Sequence, residues 1–170
     1  GTATTGSFTT ALASTDIAGA ANLVFSSGPA MREPRALHTA TTLGDGRILV
    51  VGGASMGSTA TNTTEILSPS GVVFSAGPAL STPRLGHTAT LMADGRVLIA
   101  GGTGNIGGAA LSTAQIFDPV TSTFGPVINM TAARLGHQAT RLRDGRLLIT
   151  GGGPGAELFD PASSSFAMLA

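Results

Sequence analysis

One unit is written three times along the chain, 49 to 50 residues apart, and this repetition limits the fold more than any other feature. The stretch RALHTAT at 35–41 recurs as RLGHTAT at 84–90 and as RLGHQAT at 134–140. Asp45-Gly46-Arg47 then recurs as Asp94-Gly95-Arg96 and Asp144-Gly145-Arg146, and a glycine pair follows each time at Gly52-Gly53, Gly101-Gly102 and Gly151-Gly152. Further on stand Ser68-Pro69, Asp118-Pro119 and Asp160-Pro161, each with an aromatic five residues beyond the proline, at Phe74, Phe124 and Phe166.

A period near fifty belongs to propeller blades or solenoid units, and local chemistry separates the two. Asp-Gly between short apolar runs predicts a two-residue type I′ hairpin turn, because glycine accepts positive φ. The segments 38–43 and 47–51 are thus expected to form a hairpin, as are their counterparts. The second strand of each hairpin (ILVV, VLIA, LLIT) is apolar without alternation, which predicts burial on both faces. Two further strands are expected around Ile66-Leu67, Ile116-Phe117 and Leu158-Phe159, and around the three phenylalanines. Four strands per repeat is the count of a propeller blade. No window carries helical periodicity of useful length, which argues against an α-solenoid.

With these residues in place, the unit resembles a kelch repeat. That family has a glycine pair closing its second strand, an aromatic in the third strand and a tryptophan in the fourth. Here the glycine pairs match, the third-strand position holds Leu67, Phe117 and Phe159, and the fourth holds Phe74, Phe124 and Phe166. The expected fold is all-β: kelch-type β-propeller blades of four antiparallel strands, about three and a half to the chain. Expected boundaries are 31–80, 81–130 and 131–170 for the blades, with 1–30 as a partial or degenerate blade. Phe25 precedes Arg35 by the same ten residues as Phe74 precedes Arg84, which places it in the last strand of a preceding blade, and Thr5-Gly6-Ser7-Phe8 reads as a turn into an outer strand. Three and a half blades leave a ring open. Either a second copy closes a ring of six to eight blades, or the remainder of a longer chain does.

Composition narrows the functional classes. The 170 residues carry nine arginines, no lysine, nine acids and a formal net charge of zero, with no charge run of the kind that binds nucleic acid. Apolar runs such as Ile48–Val51 and Val97–Ala100 are far short of a bilayer span. Cys, Trp and Tyr are absent, which excludes disulfides, thiolate nucleophiles and cysteine metal sites. The high Ser, Thr, Ala and Gly content with little charge suits an exported bacterial protein, extracellular or periplasmic.

Six repeated residues form the candidate axial ligand site: Arg35, His38, Arg84, His87, Arg134 and His137. Three converging histidines could hold a metal and three arginines could bind an anion, but a residue duplicated in every unit is first of all a packing device. Arg47, Arg96 and Arg146 are expected to be solvated or to bridge blades, and Asp45, Asp94 and Asp144 to form turns. The glycine pairs open no helix and so lack the geometry of a phosphate cradle. The loops 54–64 and 103–114 are long and variable, where recognition tends to sit.

The resemblance implies a non-catalytic binding or structural module that presents loops or a ring face to a protein or glycan, with no cofactor. Two enzymatic precedents resemble it in fold. Copper-radical oxidases of the galactose oxidase type need a Tyr–Cys pair that this chain cannot supply. A sugar-isomerising protein of the sialic acid mutarotase type, working through an axial Arg/His pocket, is the alternative.

Overall fold

A computed structural model of the chain describes residues 14–18, 25–55 and 57–169. The turn expected at Thr5–Phe8 lies outside them. Among the described residues every element is a strand, and fifteen strands build two four-stranded antiparallel sheets, one five-stranded and one two-stranded. The first blade is a meander of β3 (Thr39–Thr42), β4 (Ile48–Val51), β5 (Thr64–Leu67) and β6 (Phe74–Ala76). The second contains β7 (Thr88–Leu91), β8 (Val97–Ala100), β9 (Leu111–Asp118) and β10 (Thr123–Phe124), and the third β12 (Gln138–Arg141), β13 (Leu147–Thr150), β14 (Ala156–Asp160) and β15 (Ser165–Met168). In the second blade β10 covers one end of β9, and β11 (Ile128–Arg134) runs along the other end on its way to the third blade. Ahead of them β1 (Ser14–Ala18) and β2 (Phe25–Ala30) pair antiparallel, with Phe25 opening β2.

Strand period two explains the apolar second strands. In β8, Val97 and Ile99 join Leu49, Val51, Ile66 and Leu80 in a core between the first and second blades. Leu98 and Ala100, on the opposite face, join Met130, Leu147, Ile149 and Phe159 between the second and third. Each interior strand therefore serves two cores, and continuous hydrophobicity is the sequence form of that duty. One residue from each inter-blade connector plugs the boundary it crosses: Leu80 and Met130 do so between complete blades, and Met31 packs on Val50, Leu67 and Phe74 of the first.

The hairpin turns differ from the expected two-residue type. Gly46 N–H donates to Leu43 O at 3.0 Å and Leu43 N–H to Arg47 O at 2.8 Å, so Gly44-Asp45-Gly46 form a three-residue loop. Only the glycine after the aspartate has positive φ, at 84°, 85° and 90° in the three copies. A type I turn ending in a left-handed glycine spares the aspartate any left-handed strain and frees its carboxylate to accept the Arg47 N–H at 3.0 Å.

Candidate functional site

The three arginines that open the repeats are wholly buried, at 0% exposure. Each guanidinium is enclosed by backbone carbonyls of its own blade. Arg35 Nη1 donates to Gly52 O at 2.9 Å and Thr63 O at 3.2 Å; Arg84 Nη1 donates to Gly101 O and Thr113 O, both at 2.8 Å. Arg134 reaches Gly151 O at 2.9 Å, and the short third loop folds the carbonyls of Pro154 and Gly155 around it at 2.7 and 3.1 Å. A cation in this position ties the strand two to strand three crossing to the strand one entry.

A carboxylate supports it in two blades of three. Glu65 pairs with Arg35 at 2.8 Å and Glu157 with Arg134 at 2.6 Å, all four side chains being buried. Gln115 holds the equivalent place in the second blade but turns to Ser81 and Gly125, so among the described residues Arg84 has no acid. Burial pushes the Arg84 guanidinium down to about 10, and it remains a cation at neutral pH. All three side chains also accept a backbone N–H three residues ahead of the arginine: Arg32 for Glu65, Ser81 for Gln115 and Thr131 for Glu157. This staple was not read from the sequence. Its signal was a Glu or Gln immediately before the paired apolar residues of the third strand.

The histidines join neighbouring blades. His87 Nε2 meets Thr39 Oγ1 of the first blade at 2.9 Å, and His137 Nε2 meets Thr88 Oγ1 of the second at 2.9 Å. Nδ1 of each is buried without a partner, so a protonated ring would leave an unsatisfied N–H. Desolvation and then the Arg84 charge lower His87 to about 3; desolvation and the Arg134 charge lower His137 to about 4. Both rings are neutral couplers. His38 stands where a preceding inner strand would offer its threonine, and its pKa is lowered by burial and by Arg35.

Against these rings sit the glycine pairs. A Cβ on Gly101 would lie 2.6 Å from Arg134 O and 2.7 Å from His137 Cε1, and one on Gly52 would run into the same atoms of the second blade. Gly53 N–H donates to Arg84 O at 2.9 Å and Gly102 N–H to Arg134 O at 2.8 Å. The hairpin arginines complete the junction: Arg47 Nη2 donates to Pro119 O of the next blade at 2.6 Å, and Arg96 reaches Pro161 O at 3.5 Å. So the side chains of Arg35, Arg84 and Arg134 are each caged by carbonyls of their own blade, while His87 and His137 face threonines of the neighbouring blade. Among the described residues no three His, Asp or Glu groups gather where they could hold a metal ion.

The variable loops pack on one another. Ala60 N–H donates to Gly104 O at 2.9 Å and Ile106 N–H to Ser58 O at 2.7 Å, with Ala54, Ala60 and Leu85 in a small core beneath. Ile106 stands exposed at the tip.

The third blade carries part of the leading half of a junction, with Gln138 in the place of Thr39 and Thr88, and among the described residues no blade lies against it. A Cβ on Gly151 would meet nothing within 4 Å. Leu142 is half-buried where Leu43 and Met92 are buried, and Leu148 and Leu158 are half-buried where Leu49, Leu98, Ile66 and Ile116 are buried.

This architecture defines a repeat array of four-stranded β-blades joined by one reiterated junction. The Kelch motif family model matches residues 34–81, the first of the three copies, and this supports a kelch-repeat family. No curated protein matches it. Among solved structures it is similar to a fungal alcohol oxidase of the AA5 family in complex with copper, at 22% identity and a TM-score of 0.67, over 76% of this chain and 30% of that one. The chain thus spans under a third of the oxidase's length, and the likeness is one of blade architecture. A Tyr–Cys copper centre does not fit these residues, since the sequence has neither type.

Proposed function

We propose that the chain is a non-catalytic binding or structural module of kelch blades, that a second copy completes its propeller, and that the assembled ring offers its loops or one face to a protein or glycan outside the cell. The observation that carries this reading is the third blade's outer face. Within the chain such a face is buried twice by the next blade, and here Leu142, Leu148 and Leu158 remain half-exposed around an unfilled Gly151. Exposed apolar surface of this kind favours association. A head-to-tail partner would reuse the glycine and arginine part of the junction chemistry at the two internal boundaries, with Gln138 in the place of Thr39 and Thr88.

The reading against catalysis rests on the state of the polar groups. Arg35, Arg84 and Arg134 are spent on backbone carbonyls and His87 and His137 on inter-blade threonines, which speaks against the mutarotase-like alternative with its axial pocket. Light scattering on the purified chain tests the assembly. The expected mass is twice the 16.7 kDa of one chain, and Leu148→Glu should return it to that of one chain. A single-chain mass for the parent at every concentration overturns the self-association.

A further inference from the structure

The innermost hairpin of the third blade departs from its two siblings in a way the scaffold does not require. Residues 42–47 and 91–96 each hold one aspartate and one arginine, whereas 141–146 hold one aspartate and three arginines: Arg141, Arg143 and Arg146. Thr42 and Gly44 occupy the corresponding places in the first blade, and Leu91 and Ala93 in the second. The same hairpin is therefore built twice without a charge at either position. Arg146 repeats the common arrangement, bound to Asp144 at 2.7 Å. Arg141 and Arg143 are additions.

Both are exposed, and among the described residues neither side chain has a hydrogen-bond or ion-pair partner. They lie two residues apart at the end of β12 and its turn. Arg141 is paired across the hairpin with Leu147, whose side chain packs toward the second blade. This directs Arg141 to the boundary between the second and third blades. There a cleft of about 460 Å³ opens, lined by Ala93, Arg141, Leu142, Arg143, Asp144 and Gly145. Its one acid, Asp144, is already neutralised by Arg146. The floor is small: Ala93 and Gly145 leave room for a group to approach both guanidinium forks. Two unpaired planar guanidiniums on a rigid hairpin suit a tetrahedral oxyanion, which each can grip through two N–H donors.

We propose that this cleft is an anion-binding site for phosphate or sulfate ester groups, with Arg141 and Arg143 as its ligands. It is built from two blades of one chain and so exists whether or not a second copy closes the ring. It also moves anion recognition away from Arg35, Arg84 and Arg134, whose guanidiniums are used up inside the blades.

The test is calorimetric titration of the full chain with inorganic pyrophosphate and, separately, with a sulfated disaccharide, at low and at physiological salt. Saturable binding that weakens as salt rises is expected, and the tighter of the two probes identifies the ester class. Arg141→Thr with Arg143→Gly installs the residues the first blade carries, so the hairpin should fold with an unchanged unfolding temperature; affinity should fall at least about tenfold with the loss of two charge-assisted contacts. Arg141→Lys with Arg143→Lys should recover part of that loss, because charge persists while the planar fork does not. If the threonine–glycine variant unfolds early, Arg143→Gly alone should still weaken binding. No saturation by either probe at about 1 mM, a free energy near −4 kcal/mol, overturns the proposal. So does unchanged affinity in the variants.

Discussion

At the scale of single residues, the first glycine of each pair is a contact surface. Gly101 has φ of 62° and faces both a carbonyl oxygen and an imidazole; Gly151 has φ of 75° and faces open space. Gly101→Ala should therefore cost about 3 kcal/mol, from left-handed strain plus overpacking, while Gly151→Ala should cost only the strain, about 1 kcal/mol. Denaturant unfolding of the two variants checks the difference. Leu37 presents the converse case. It sits at φ of 56° and is 56% exposed, in the place that Gly86 and Gly136 take in the later repeats. Leu37→Gly should be neutral or stabilising by up to about 1 kcal/mol, since relief of left-handed strain competes with glycine's backbone entropy. Glu157→Gln should cost roughly 3 kcal/mol by leaving Arg134 unpaired in the interior. The middle blade, which carries Gln115, shows the geometry such a variant would adopt. Repetition made Arg35, Arg84 and Arg134 visible in the sequence, but it could not give their direction. Whether a repeated cation faces a channel or a cage of carbonyls depends on loop carbonyls such as Gly101 O and Pro154 O, which leave no mark in residue identity.

At the scale of the strand and hairpin, the second strands were the most legible elements, because burial on two faces writes itself as an unbroken apolar run. The turns were legible in place and not in type. Asp-Gly occurs in both two-residue and three-residue loops, and Gly44, Ala93 and Arg143 all precede the aspartate in the same three-residue loop, so the neighbouring residue does not announce the type. The coupling of β3 to β7 and of β7 to β12 through histidine was hidden, since Thr39 and Thr88 are ordinary strand residues. That coupling has a pH signature. His87 and His137 are held neutral in the fold and titrate near 6.5 once unfolded. A base whose folded pKa is depressed binds more protons unfolded, so the stability it protects is present above about 6.5 and is lost as pH falls from there toward about 4 and 3. Stability should drop by about 1.4 kcal/mol per pH unit for each histidine across that window. Unfolding measured between neutral pH and pH 4 checks the slope, and His137→Gln should remove roughly half of it.

At the scale of the whole molecule, each blade depends on its neighbours. The two largest clusters lie between blades, and Leu80 and Met130 stitch them from the connectors. A change at one boundary should consequently be felt at the next. Ile99→Ala, which hollows the first junction, should cost about 3 kcal/mol and lower the amide exchange protection of β4 as well as β8. The array was legible at this scale from the period alone. The asymmetry of its boundaries was not, because it depends on which partner supplies each group. Every internal boundary repeats one arrangement: the earlier blade gives a glycine N–H, a threonine hydroxyl, an arginine side chain and the carbonyl of Leu37 or Gly86, and the later blade gives an arginine carbonyl, an imidazole, a proline carbonyl and the N–H of Gly86 or Gly136. Such a seam has a polarity, as a zipper or a nucleic-acid strand does. Two identical outer faces meeting each other would set arginine against arginine and glycine N–H against glycine N–H. An added blade can therefore be accepted after the third only if it arrives facing the same way as the other three.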